Sequence, residues 1–389
     1  MIQFLNIAIG RGHPFYLDGI VELLKKAGGP QIEYYEVLDI SRGQSLAAWR
    51  MAKWLYRFGS NDSVIGKWYN SIRDRSEYIH DSLAMSFLGR DIRTKFLSGK
   101  TPLVVSHPVL VGILSGRVNL LYQHGEVAVP PQAMVKGARF VFVPAESSAA
   151  PFLKTGYSPQ QVKVSGLCIE PELVKQSEIA FHKRLNRIFG NRPLAGAFFS
   201  SGAEPAPHMK KLIAAAESVI RHGGRVIIFA EEKGQLEKVV KKEFDRTGVP
   251  YSLVKGTNNP DLSQIQAALC LFEKRSELDQ MTARYFSNFD YFVAPSHERS
   301  NWALGLGLPM FILEPAIGPF AYLNRQAILQ VGVGMSLKTP VEAAGFGIRL
   351  SDLQKSGKLA EMAESGWKRH PINGFQSIAD FLINKYRSS

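Results

Sequence analysis

Cysteine is scarce: Cys168 and Cys270 are the only two in 389 residues. Two isolated thiols offer neither the paired spacing of a zinc site nor a disulfide framework, so they read as reduced core residues of a cytosolic protein. Acidic residues are also short, 34 against 47 Lys and Arg, which leaves a formal net charge of +13. No apolar run approaches the ~20 residues that cross a bilayer, and no basic segment precedes the first apolar stretch, so neither a membrane-spanning helix nor a signal peptide is expected. Asp-x-Asp is absent and His297-Glu298 alone is a poor ligand pair, so neither a metal nor an organic cofactor is expected. Low-complexity tracts and short-period repeats are missing as well. With 45% hydrophobic and 21% charged residues, the composition describes an ordered α/β protein long enough for two domains.

What is present begins at the first residues. An apolar run through Ile2, Phe4, Leu5, Ile7 and Ile9 breaks into Gly10-Arg11-Gly12-His13-Pro14, and an amphipathic stretch from Tyr16 to Ala27 follows. Strand, glycine turn and helix place His13 at the carboxyl edge of a parallel sheet, where open α/β folds bind ligands. Glycines allow close backbone approach, and a helix start offers unpaired N–H groups to an anion. The turn has no third glycine and no Walker lysine, which excludes the dinucleotide fingerprint and the P-loop.

Further strands are predicted at Gln31–Leu38, Pro102–Val105, Val118–Tyr122, Ala138–Val143 and Val162–Val164, with a helical insertion from Ser45 to Phe96. A second series starts near Leu194: a strand at Gly196–Phe199, a Ser-Ser-Gly-Ala turn, a helix from Ala206 to His222, then strands at Arg225–Phe229, Tyr251–Val254, Tyr291–Ala294 and Met310–Leu313. Strands alternating with helices predict two doubly wound, Rossmann-like α/β domains with parallel sheets facing a cleft. The domains are expected at 1–168 and 169–370, with a last helix over 371–389 that returns to the first.

The insertion carries bases among aromatics. Trp49, Arg50, Lys53, Trp54 and Arg57 form the sequence expectation for a face that docks on an anionic membrane, because such pairs suit the headgroup region. The competing reading packs these aromatics against the sheet. No recognised nucleic-acid motif accompanies the charge, so no nucleic-acid partner is expected.

Several of these segments together resemble the GT-B glycosyltransferases that include the peptidoglycan lipid-intermediate N-acetylglucosaminyltransferase and the monogalactosyldiacylglycerol synthases. The resemblance is carried by Gly10-Arg11-Gly12-His13-Pro14, Glu36-Val37-Leu38-Asp39, Trp54-Leu55-Tyr56, Lys67-Trp68-Tyr69, Tyr122-Gln123-His124-Gly125-Glu126, Gly156-Tyr157-Ser158, Phe199 to Ala203, Phe289 to Ser296 and Asn324 with Gly332. It implies an acceptor-side loop at Gly10, Gly12 and His107, and a donor diphosphate held by Ser200, Ser201, Gly202 and Ala203. Asn324 and Arg325 would complete the donor side. Trp302 stands where the family has its ribose-binding glutamate and Ala321 where it has a glutamine, so Glu298 and Asn301 are the available ribose acceptors, with Arg299 a further charge for the diphosphate.

Moving a sugar to an alcohol needs a base on the acceptor hydroxyl and stabilisation of the departing diphosphate. His13 ranks first as base because its imidazole titrates near neutrality, Glu126 second, with His124 another candidate. The expected activity is inverting, metal-independent transfer from a nucleotide-diphosphate sugar, UDP-linked by resemblance, to a lipid-linked or membrane acceptor at the inner face of the cytoplasmic membrane. A nucleotide-sugar epimerase of the same architecture and a non-catalytic polyanion binder are the alternatives.

Overall fold

The structure, a computed structural model, describes residues 1–7, 12–59, 83–256, 258, 260–262 and 265–386, with the side chains at 12–13, 55–59 and 83–84 outside that description. The chain divides into two compact units. Unit 1 comprises Met1–Pro171, Gly318–Leu323 and His370–Ser389, and unit 2 Glu172–Ile317 and Asn324–Arg369.

Unit 1 is built on a six-stranded parallel sheet in the order β2-β1-β3-β4-β5-β6. The strands are β1 (Ile2–Asn6), β2 (Ile32–Glu36), β3 (Leu103–Val105), β4 (Leu120–Gln123), β5 (Phe140–Val143) and β6 (Val162–Val164). Both faces are covered. Phe4, Val104, Leu121 and Phe142 pack under α1 (Gly12–Lys26) and the last helix, Gly374–Tyr386, while Leu5, Val105, Leu120 and Val141 pack with Trp49, Ile92 and Phe96 on the other side. Residues one apart in a strand face opposite ways, so a sheet covered on both faces reads as a continuous apolar run. Phe375 of the last helix lies edge-on to Phe15 of α1, 5.3 Å between centroids, and Gly19 has no side chain because that ring fills the space.

Unit 2 holds a seven-stranded parallel sheet in the order β13-β12-β11-β7-β8-β10-β9. Its strands are β7 (Ala195–Phe199), β8 (Arg225–Glu231), β9 (Ser252–Lys255), β10 (Ala267–Phe272), β11 (Tyr291–Ala294), β12 (Met310–Leu313) and β13 (Gly334–Leu337). Two of these, β10 and β13, are absent from the sequence expectation. Ala-Ala-Leu-Cys-Leu-Phe has no β-branched residue, and Gly-Met-Ser-Leu opens on a strand-weak glycine. Burial between β8 and β9 decides the first, and pairing with β12 the second.

The fold also corrects the second strand, which ends at Glu36 where Val37–Ile40 turns into a short helix. Within the insertion the described helices are α3 (Gly43–Gly59) and α4 (Leu83–Phe96), α2 being Val37–Ile40. Lys67-Trp68-Tyr69 lie outside the described residues. Trp49 is not a membrane-face residue: it is 3% exposed and its indole Nε1 donates to the Leu88 carbonyl at 3.0 Å, fixing α3 to α4. Ala47, Arg50, Met51 and Trp54 form the exposed face of α3, at helical spacing. Lys53 is half-buried, and the Arg57 side chain is outside the description. Among the described residues no helix is long and apolar enough to cross a membrane.

Candidate functional site

The strand order of unit 2 reverses at β7: the chain next builds β8 on one side of it and later returns to build β11 on the other. The loops leaving the carboxyl ends of β7 and β11 therefore flank the crevice in which open α/β sheets bind ligands. The first loop is Ser200 to Pro205, leading into the sixteen-residue helix Ala206–Arg221. Ser200 is buried and its Oγ has no hydrogen-bond partner; Ser201 and Ala203 are half-buried and Gly202 is exposed. No side chain caps the helix start, but Pro205 and Pro207 carry no N–H and those of His208 and Met209 donate to the Pro205 carbonyl at 2.9 and 3.1 Å, so the first turn offers an anion the Ala206 N–H and the positive end of the helix dipole. Glu204, at φ 45°, shapes this loop: its carboxylate accepts from the Gln235 and Leu236 N–H groups at 2.7 and 3.1 Å, fastening the loop to the helix Gln235–Thr247.

The second loop, Pro295 to Arg299, carries the charge. The Arg299 guanidinium lies 4.3 Å from the centroid of Phe199, the last residue of β7, and 5.3 Å from that of Trp302. It thus bridges the two sides of the crevice. Glu298 meets Arg299 Nη1 at 3.1 Å and Arg275 Nη1 at 3.6 Å. Burial alone would raise the Glu298 carboxyl, but the two guanidinium groups outweigh it and hold the pKa at about 2. An ionised, buried carboxylate results, an acceptor for hydroxyls at neutral pH. Asn301 is buried in the short helix Ser300–Gly305 one turn later.

Trp302 belongs to the core, 1% exposed, with centroids 5.6 Å from both Phe199 and Phe292. Its ring thus packs against β7 and β11, the two strands from which the crevice loops leave. Ala321 is likewise fully buried, in the helix Pro319–Val331. Asn324 of that helix donates to the Ser296 carbonyl at 3.2 Å, tying it to the loop after β11. Arg325 departs from its expected role as a charge for the diphosphate. Its Nη1 lies 2.9 Å from both Glu314 oxygens, and Ser336 Oγ donates to the same carboxylate at 2.7 Å. A guanidinium matched by a carboxylate in this way braces the helix against β12 and β13.

In unit 1 the order reverses between β1 and β3. His13 stands in the first turn of α1, directly after the β1 loop, while Gly10 lies outside the described residues. His107 follows β3 and caps the helix Pro108–Ile113: its Nδ1 accepts from the Val109 N–H at 3.2 Å. His124 is buried, with Nε2 at 3.0 Å from the Ala128 carbonyl and Nδ1 at 3.3 Å from the Tyr122 hydroxyl. With Nε2–H donating to the carbonyl, Nδ1 accepts from the tyrosine, so both ring nitrogens have partners within unit 1. Glu126 is buried two residues on. Between them, Gly125 is required sterically, because a Cβ would stand 2.1 Å from the Tyr16 ring of α1. Tyr16 is one turn after His13, so this contact sets the first turn of α1 beside the loop that carries Glu126. Cys168 accepts from Gln123 Nε2 at 3.0 Å, and burial raises its thiol far above neutrality, as it pushes that of Cys270 up to about 12.

Glu204, Arg275 and Glu314 shape the unit 2 crevice without any sequence motif to mark them, since each acts through a partner distant in the chain. His208 is another. It is fully buried in the first turn of Ala206–Arg221, with Nε2 2.8 Å from the Pro315 carbonyl, and burial drives its pKa down to about 4 despite that carbonyl. The folded state therefore resists protonation that the unfolded chain accepts near pH 6.5. The stability held above pH 6.5 is lost progressively as the pH falls toward 4, at a slope of up to about 1.4 kcal/mol per pH unit. His208→Gln retains an N–H donor but does not titrate, so urea titrations from pH 7 to pH 4 should give a shallower slope for the variant by up to that amount. Parallel slopes would show that His208 does not carry the dependence.

Among the described residues, no group of three or more His, Cys, Asp or Glu side chains is arranged to hold a metal. No protein-family model matches the chain, and no curated protein does either. Solved structures do match. A protein from Listeria monocytogenes assigned as a UDP-N-acetylglucosamine 2-epimerase aligns with 100% of this chain and 97% of its own at 10% identity and a TM-score of 0.56. The Methanocaldococcus jannaschii UDP-GlcNAc 2-epimerase, solved with UDP-GlcNAc and UDP, aligns over 99% and 100% at 13% identity and a TM-score of 0.51. MurG of Acinetobacter baumannii aligns over 99% and 100% at 13% identity and a TM-score of 0.50. Two parallel-sheet α/β units, of six and seven strands, thus give this chain a fold of the GT-B type.

Proposed function

We propose that the chain is a nucleotide-diphosphate-sugar enzyme, and specifically an inverting glycosyltransferase with a lipid-linked or membrane acceptor. The observation that carries the donor half is the crevice of unit 2. A small-residue loop enters an uncapped sixteen-residue helix beside a loop whose Glu298 is held ionised by Arg299 and Arg275. The serine hydroxyls, with the helix dipole and the Ala206 N–H at its start, suit a diphosphate, and the carboxylate suits ribose hydroxyls. The structural neighbours solved with UDP or UDP-GlcNAc support this reading.

In the proposed transfer, His13 takes the proton of the acceptor hydroxyl as its oxygen bonds to the anomeric carbon. The bond from that carbon to the diphosphate oxygen breaks, its electron pair leaves with the diphosphate, and the configuration inverts. Metal independence is part of the same proposal. Membrane proximity is read from the exposed α3 face, where Met51 and Trp54, 61% and 55% exposed, accompany Arg50. Epimerisation is the second reading, favoured by the two epimerase neighbours with TM-scores of 0.56 and 0.51.

The decisive test incubates the protein with a panel of nucleotide sugars, with and without a membrane lipid extract, and follows sugar configuration by NMR. A transferase releases nucleoside diphosphate only with the extract, and an inverted glycolipid forms. An epimerised nucleotide sugar without the extract would replace the transferase reading by the second one. Sedimentation with anionic vesicles tests the membrane part. Each surface base contributes ~1 kcal/mol, so Arg50→Glu combined with Trp54→Ala should weaken partitioning about tenfold at low salt. Equal pelleting of wild type and variant would remove α3 from the membrane face.

A further inference from the structure

At the end of the unit 2 sheet opposite those loops, a cavity of about 630 Å³ is lined by Lys183, Asn186, Arg187, Arg192 and Asn288. Arg192 comes just before β7 and Asn288 just before β11, so the cavity lies at the amino ends of the two strands whose carboxyl ends bear the donor crevice. It has no part in the proposed reaction.

Its lining is basic, and the backbone that carries it is held in place. The helix Pro171–Phe189 ends in a turn through Asn191, at φ 47°, and Gln354 Nε2 lies 3.4, 3.3 and 3.1 Å from the carbonyls of Arg187, Ile188 and Arg192. That amide pins the loop from which Arg192 extends. Arg187, with a side chain only 16% exposed, contacts Asp290 Oδ1 through Nε at 2.7 Å and donates from Nη2 to the Ser287 carbonyl at 3.0 Å. Asp290 is fully buried and its other oxygen accepts from the Ala195 N–H at 2.8 Å, so its charge is already committed to Arg187 and the backbone. Lys183 and Arg192 make no ion pair among the described residues, and no carboxylate is among the lining groups. Three cations against one buried carboxylate leave a charge of about +2 facing the cavity, with the amides of Asn186 and Asn288 as neutral donors beside them.

A surface lysine is ordinarily just solvated. Here a concave site gathers cations from one helix and one fastened loop, with amide donors and no acid to compete, which is the arrangement that recognises phosphate oxygens. We propose that this cavity binds a compact phosphate-type dianion, at a site distinct from the donor crevice.

Isothermal titration calorimetry of the full chain with inorganic phosphate at low ionic strength tests it. Phosphate can also enter the donor loop, so the titration is run on wild type, on Gly202→Val, and on Lys183→Ala/Arg192→Ala, each checked for folding by circular dichroism. Gly202→Val should keep one saturable phosphate site. The double variant should lose at least tenfold in affinity at that site, and Lys183→Arg/Arg192→Lys, which keeps both charges, should retain most of it. Absence of saturable binding by Gly202→Val, or binding that the double alanine variant leaves unchanged, would overturn the proposal. A nucleotide sugar, titrated in parallel, should bind the double variant as it binds wild type, so failure of the donor reading and failure of this one give different results.

Discussion

His13→Ala is expected to lower turnover of the nucleotide sugar by ~10²–10⁴-fold while leaving donor affinity close to that of wild type. A positioned base acts on the proton in the transition state and typically supplies a factor of that size. The donor groups proposed above belong to unit 2 and the histidine to unit 1, so the loss should fall on turnover and not on binding. Steady-state kinetics and calorimetry with the donor alone separate the two quantities. The neighbouring candidates sharpen the test. His124 has both ring nitrogens bonded to Tyr122 and Ala128, and His107 uses Nδ1 to cap a helix, so Glu126 is taken as the alternative base. Near-normal turnover of His13→Ala with loss in Glu126→Gln would transfer the role to the carboxylate.

The largest stability effect is expected at Arg184, which is fully buried in the helix Pro171–Phe189. Its Nε donates to the Phe289 carbonyl at 3.1 Å, and its Nη1 to the Leu306 and Gly307 carbonyls at 3.0 and 2.8 Å. Those carbonyls precede β11, whose loop flanks the donor crevice, and β12 beside it. Burial pushes the guanidinium pKa down to about 9, yet it stays charged at neutral pH. Arg184→Leu leaves three buried acceptors without donors, each costing about 1–3 kcal/mol, so the loss should be about 3 kcal/mol or more in urea unfolding. Arg184→Lys should recover only part of it, because an ammonium cannot span the three carbonyls as the planar guanidinium does. A loss below about 1 kcal/mol for Arg184→Leu would mean that other donors or water replace the guanidinium.

The class of fold and most of its elements were legible because they depend on local pattern. Apolar runs mark β11 and β12, and the alternating Val-Lys-Val marks β6, at the residues where they occur. The strand, small-residue turn and helix around Phe199 to Ala206 are equally local. Where local preference is weak, as in Ala267–Phe272, only the neighbouring strands supply the reason for a strand.

By itself the amino-acid sequence determined an α/β chain with parallel strands, two thiols without a disulfide or metal spacing, an excess of positive charge, and the residue types that stand after each strand. Tertiary structure alone decided what those residues do. Trp49 turned inward because Leu88, 39 positions away, offers its carbonyl, whereas Trp54 on the next turns of the same helix remains exposed. Arg325 became a brace because Glu314, itself held by Ser336, lies against it, and Glu298 is held ionised by the adjacent Arg299 together with Arg275, which arrives from a different helix. Periodicity reports which face of an element is apolar, a property of neighbouring residues. The charge state and hydrogen-bond partner of a buried polar group depend on atoms brought together from distant parts of the chain, and only the folded arrangement supplies them.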